Sequence, residues 1–264
     1  METTDSSQTP KLWLLLTACL FIAFLAISLN PSWSPLIIYL AILIVSLYLL
    51  IKNKDLLIRN DFFEAILFSS LTALAVTPQM SFYYFVAFIT FLAYLGAMAT
   101  NRQYKGKIQL ISDHPLKGLA LTLVLASITS FINFVLHSLI GGNAPHFLFS
   151  LDNLIAASRF ATIPGITEEI LMHLIPYALV IQVLKTTPRS KKASFITYLI
   201  MILPHTLIHF HLSQMNPLNI LVSTLLLGLC FGLPMAFLMR KVSLSSAILL
   251  HFLVDLIRYL IFQS

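Results

Sequence analysis

Hydropathy constrains this chain before any motif does. Nine apolar runs, approximately residues 12–29, 35–51, 62–77, 82–99, 118–140, 166–184, 194–211, 217–239 and 244–262, follow one another with short polar breaks. A helix needs ~20 apolar residues to cross a bilayer, with ~17 as the lower limit. The runs predict an all-α fold, a polytopic transmembrane helical bundle of eight or nine spans. The third and fourth are short and separated only by "TPQMS", so they also admit a re-entrant hairpin. Composition agrees, with 58% hydrophobic and 10% charged residues. A soluble domain is about a quarter charged, and no single aqueous core would hide so much apolar surface.

The breaks between runs carry a second pattern. Lys52, Lys54 and Arg59 follow the second run, and Arg102, Lys105, Lys107 and Lys117 the fourth. Lys185, Arg189, Lys191 and Lys192 follow the sixth, and Arg240 and Lys241 the eighth. With Lys11, 14 of the 16 basic residues fall on one side, while "NPSWS", "TPQMS" and "SQMNP" have none. Cytoplasmic loops hold such an excess of Lys and Arg. The pattern predicts a multi-pass cell-membrane protein with a cytoplasmic N-terminus and an outer C-terminus, in a bacterial plasma membrane. It also accounts for the net charge of +6 without a nucleic-acid partner.

The segment before the first run, "METTDSSQTPK", lacks the basic region of a secretory signal, so residues 12–29 read as a retained helix. Cys19 and Cys230 lie inside apolar runs without metal-site spacing and read as buried structural thiols. Between the fifth and sixth runs, Leu151 to Ala161 mixes apolar residues with Asp152, Asn153, Ser158 and Arg159. That mixture predicts an amphipathic helix on the outer surface. Pro164 and Gly165 then separate it from a span with Thr167 as its N-cap and Glu168 and Glu169 in its first turn.

Ionisable groups inside membrane spans are costly and mark function by default. Glu64, near the basic loop before it, reads as snorkelling or paired with Arg59, and His137 as a bundle or interfacial histidine. The others gather in the C-terminal third: Glu168, Glu169, His173, His205, His209, His211, His251, Asp255 and Arg258. His205 and His209 are four apart and share a helix face, as do His251 and Asp255. His211 points elsewhere. Asp255 either orients His251 or pairs with Arg258. At the ~1.5 Å rise of a helix, Glu168 lies ~26 Å from Lys185, His209 ~26 Å and His205 ~20 Å from Lys192. The same rise puts His251 ~15 Å and Asp255 ~21 Å from Lys241. Groups on three spans thus reach a similar depth.

A partly desolvated carboxylate with histidines suits water activation: glutamate takes a proton, and histidines hold water or donate to an oxyanion. The same donors suit zinc at Glu168, His209 and His251, although the H-E-x-x-H metalloprotease motif is absent. A proton relay of a transporter also uses such groups, but these gather at one level and no half-chain repeat is present.

These residues resemble the CPBP family, the CAAX-protease and bacteriocin-processing (Abi) intramembrane proteins. Its pattern is E-E-x-x-x-R, then F-x-x-x-H, then H-x-x-x-N or D. Glu168 and Glu169 match the first motif, with His173 where the pattern has arginine. His251 and Asp255 match the third in "SLSSAILLHFLVDLI". The middle motif lacks its phenylalanine; His209 is the preferred match from its spacing to the following loop and Gly228, with His205 the alternative. The resemblance covers about residues 150–262. The chain accordingly divides into N-terminal helices, 1–140, and a catalytic-type region, 141–264. The resemblance implies a metal-independent, glutamate-type membrane endopeptidase acting on a membrane-associated peptide or protein. It would serve CAAX processing, bacteriocin maturation or self-immunity. By the same resemblance Glu168 is the base, assisted by His209. His251 and Asp255 line the oxyanion position, Glu169 orients the site, and His173 replaces the supporting arginine. A catalytically inactive immunity or partner-binding protein of the same fold is the second reading, motivated by the two motif departures.

Overall fold

The computed structural model describes residues 5–28, 34–77, 80–140, 144–147, 150–207, 209 and 216–262. Among these residues there is no strand. The chain runs through α1 (Asp5–Ser28), α2 (Ser34–Asn53), α3 (Arg59–Ala75), α4 (Phe82–Gln103) and α5 (Pro115–Val135). Then come α6 (Leu151–Glu168), α7 (Ile175–Leu184), α8 (Lys191–Leu207), α9 (Pro217–Leu227), α10 (Leu233–Lys241) and α11 (Leu244–Phe262). His211 lies outside the described residues.

Seven helical stretches among the described residues are long and apolar enough to cross a membrane. The other two predicted runs form α3 and α8, each 17 residues long, at the lower limit for a span. Large apolar side chains such as Leu14, Ile44, Leu74 and Phe131 are exposed on the bundle. Such a surface suits a lipid environment. Cys19 and Cys230 are unpaired and only half-buried, so they are not the fully buried thiols expected.

The predicted break at Pro164–Gly165 does not occur. Residues Leu151–Leu184 form one helical rod of 34 residues, with α6 and α7 joined by a π-helical stretch, Glu169–Leu174. The interfacial helix and the sixth span are therefore one element, ~51 Å long at the standard rise, against a hydrocarbon core of ~30 Å. Its N-cap is Ser150, whose side chain accepts from the Asn153 backbone N–H. Thr167 caps nothing; its hydroxyl donates to the Ile163 carbonyl. A proline is tolerated inside a membrane helix where its neighbours support the backbone. Gly165 serves packing rather than a turn: a Cβ there would lie 3.3 Å from the Phe252 backbone nitrogen and Cβ. The missing side chain lets α11 pack against α6.

This rod is the centre of the bundle, 78% buried over its most apolar window, with the Phe82–Gln103 helix next at 61%. Helices α4, α8 and α11 all touch the π-helical stretch. The same glycine device recurs on the stretch between α9 and α10. There a Cβ on Gly232 would meet Ile202 Cγ2 at 2.8 Å, so α8 is approached closely one turn before His205.

Polar contacts sort the loops into two ends. Arg102 at the end of α4 holds Asp61 at the start of α3 through two 2.9 Å bonds and also donates to the Leu56 carbonyl. Asn53 donates to Thr100 and Gln182, tying the ends of α2, α4 and α7. Arg240 donates to Ser194, Arg189 N–H to Gln8, and Leu244 N–H to Gln109. At the opposite end, His146 N–H donates to the Ile261 carbonyl, joining the α5–α6 connection to the end of α11. The basic loops thus share one end, as the charge pattern requires. Glu64 pairs with the Tyr94 hydroxyl rather than Arg59, which stacks over Phe63.

Candidate active site

Three elements bring the polar residues together. The central rod supplies Glu168, the last residue of α6, with Glu169 and His173 in the π-helical stretch. Helix α8 supplies His205, with His209 just beyond its end. Helix α11 supplies His251, Asp255 and Arg258. A π-helical turn is wider than an α-turn and recurs at functional sites.

Glu169 is fully buried, and both of its oxygens are used. Oε2 lies 2.9 Å from His173 Nδ1 and Oε1 lies 2.9 Å from His251 Nδ1. A buried carboxylate must be paired, and an ionised one only accepts. Both imidazoles therefore carry their proton on Nδ1 toward Glu169 and turn Nε2 to the next partner. His173 Nε2 meets His205 Nδ1 at 3.4 Å. His251 Nε2 lies 3.5 Å from Asp255 Oδ2 and 3.7 Å from Glu168 Oε2. Glu169 thereby fixes the two histidines that face Glu168 and His205. His173, which stands where the family pattern has arginine, is a hydrogen-bond partner of this carboxylate on the same helix.

Glu168 faces outward into a cavity. Its Oε2 lies 2.7 Å from His205 Nε2, 3.9 Å from His209 Nε2 and 3.7 Å from His251 Nε2. Of the two candidate middle histidines, His205 is at hydrogen-bonding distance and is buried. His209 is 46% exposed and touches His205 Nε2 at 3.1 Å. At 2.7 Å the His205 Nε2–H donates to the Glu168 carboxylate, and its Nδ1 faces His173 Nε2.

The cavity has a volume of about 420 Å³ and its wall includes Glu168, His205, His209, His251, Asp255 and Arg258. Arg258 stands 3.5 Å from Asp255 and partly offsets its charge. The wall also takes Tyr39 and Tyr83 from the N-terminal helices. Sequence reasoning missed both, because a tyrosine within an apolar run carries no signal of which helix it faces. A separate apolar groove between α1, α2, α7 and α8, lined by residues such as Ile22, Ile42 and Leu179, ends against His205. All seven residues selected from the sequence, Glu168, Glu169, His173, His205, His209, His251 and Asp255, therefore meet in one connected cluster.

Residues 150–257, the stretch that carries this cluster, match a protein-family model. The family is the type II CAAX prenyl endopeptidase Rce1-like family. No curated protein and no solved structure matches the chain. The family resemblance drawn from the motifs thus holds over the Rce1-like region, which begins at Ser150, the N-cap of the central rod, and ends within α11. Together with the apolar helices, it makes this a multi-pass membrane protein whose C-terminal region is of a membrane-protease type.

Proposed function

We propose that the chain is an intramembrane endopeptidase in which Glu168 activates water against a peptide bond. The observation that carries this reading is the convergence on Glu168 Oε2 of histidine Nε2 atoms from α8 and α11, at 2.7 to 3.9 Å, beside a cavity within an apolar bundle. Water in the cavity beside the Glu168–His205 contact gives a proton to the carboxylate while its oxygen attacks the carbonyl carbon. As the imidazolium, His251 keeps Nδ1–H on Glu169 and presents Nε2–H, which faces Asp255 and Glu168 at rest, to the oxygen on which charge develops. Collapse breaks the C–N bond, and the proton held by Glu168 passes to the leaving amine. The products are a carboxylic acid and an amine. Positioned donors and a base at such distances are what general-base hydrolysis requires.

An ionised Asp255 cannot donate to an oxyanion. Its role in this reading is to hold His251, with Arg258 offsetting its charge. The substrate is a membrane-associated peptide or protein, and the apolar groove ending at His205 supports approach from the lipid side. Bacteriocin maturation or self-immunity, and a bacterial plasma membrane with the N-terminus inside, belong to the same proposal.

Glu168→Ala tests it. Purified protein in liposomes should lose cleavage of a membrane-anchored reporter peptide while inserting and folding normally. Cleavage at the wild-type rate by that variant would falsify the mechanism. Protection or partner binding that survives Glu168→Ala with His251→Ala would instead favour the non-enzymatic reading.

A further inference from the structure

The Rce1-like pattern needs one histidine on the middle helix, and this chain brings two to the same carboxylate. His209 Nε2 stands 3.1 Å from His205 Nε2 and 3.9 Å from Glu168 Oε2, while the third side of this triangle, His205 to Glu168, is 2.7 Å. Three ligand atoms of the kinds that bind transition metals therefore converge within 4.8 Å of one another. For bonds of ~2.0–2.1 Å, the ligand atoms of a tetrahedral zinc site stand ~3.3 Å apart. The observed separations bracket that value.

Two further features fit. A metal-bound imidazole normally has its second ring nitrogen engaged, and His205 Nδ1 meets His173 Nε2 at 3.4 Å. The trio also lines the cavity, so a fourth position is open to water.

We propose that Glu168, His205 and His209 bind a divalent transition-metal ion of the Zn²⁺ type, and that the ion switches the site off. Resting on the reading above, the switch follows because the ion occupies the carboxylate lone pairs that would accept the proton of water. A divalent ion at His205 also replaces the direct contact of its Nε2 with Glu168.

The test uses the full-length protein in detergent, stripped with chelator and then titrated with Co²⁺ and Zn²⁺. On the order of one Co²⁺ per chain should bind with the visible absorption of a four-coordinate site, and Zn²⁺ should displace it. His209→Ala should weaken binding by roughly tenfold or more, as expected for loss of one of three ligands. His137→Ala, which alters a cavity histidine outside the trio, should leave the titration unchanged. A calorimetric melt of each variant separates loss of the site from loss of the fold, and His209→Gln repeats the test should the alanine variant unfold.

Absence of a four-coordinate Co²⁺ spectrum, or one unaltered in the folded His209 variants, overturns the proposal whatever the protein cleaves. Cleavage by the metal-free protein that Zn²⁺ suppresses supports both the site and the switch. Cleavage only when zinc is bound keeps the site, overturns the switch, and removes Glu168 as free base. A bound ion with no cleavage in either form keeps the site and counts against the peptidase reading.

Discussion

His205 Nε2 lies 2.7 Å from Glu168 Oε2, whereas His209 Nε2, one turn further along, lies 3.9 Å from the same oxygen. The nearer histidine is buried and braced by His173, and the farther one is half-exposed. A positioned acid–base group is worth roughly 10²–10⁴-fold in rate. His205→Ala should therefore lower kcat for the reporter peptide by roughly a hundredfold or more. His209→Ala should cost about tenfold or less. Parallel kinetics of the two variants decide it, and the reverse order would assign the base partner to His209.

A second consequence concerns His173, which is fully buried between Glu169 and His205. A hydrogen bond to a charged group is worth about 1.5–3 kcal/mol. Glu169 keeps its bond to His251, so His173→Ala should cost about 3 kcal/mol or less. His173→Arg keeps a donor beside Glu169 and should be the milder change. Thermal unfolding in detergent ranks the two, and an arginine variant less stable than the alanine one would contradict this view of the pair.

Much of this cluster is legible before folding, for a physical reason. Ionisable groups in apolar runs are expensive, so Glu168, Glu169, His205, His251 and Asp255 stand out by type alone. Spacing of four puts His205 with His209, and His251 with Asp255, on common faces. Other features depend on helical phase across neighbours, which no single run contains. The π-helical stretch from Glu169 shifts the helical phase of His173 relative to α6, and His173 meets His205 across the bundle. Pro164 and Gly165 carry the usual signature of a helix boundary. What overrides it is the close approach of Phe252, a residue about ninety positions away. Tyr39 and Tyr83 reach the cavity wall through the same kind of long-range packing.

The two-ended loop arrangement makes a topological prediction. Lys54 and Arg189 are exposed in basic loops, and His146 is exposed beside the end of α11. In a background of Cys19→Ser and Cys230→Ser, a cysteine replacing His146 should react with a membrane-impermeant maleimide on intact cells. Cysteines at Lys54 and Arg189 should react only after permeabilisation. The positive-inside rule sets this direction, and labelling in the opposite sense would invert the orientation.

Gly165 connects packing to chemistry. A Cβ at this position would stand 3.3 Å from both the backbone nitrogen and the Cβ of Phe252, and 3.4 Å from its Cα. Phe252 directly follows His251, so the contact that excludes a side chain at Gly165 also sets how closely α11 presents His251 to Glu169. Alanine asks the neighbour to yield by a few tenths of an ångström. A branched side chain must push α11 away. Overpacking of this kind costs about 1–3 kcal/mol. Gly165→Val should therefore destabilise the protein by about 2 kcal/mol. It should also depress cleavage beyond what the loss of folded protein explains, because the 2.9 Å bond from His251 Nδ1 to Glu169 lengthens with the displaced helix. Gly165→Ala should sit between wild type and valine on both measures. Thermal melts and kcat measured on the same folded fraction test the coupling. A valine variant that melts lower but cleaves at the wild-type rate per folded molecule would separate the packing of α6 and α11 from the alignment of the site.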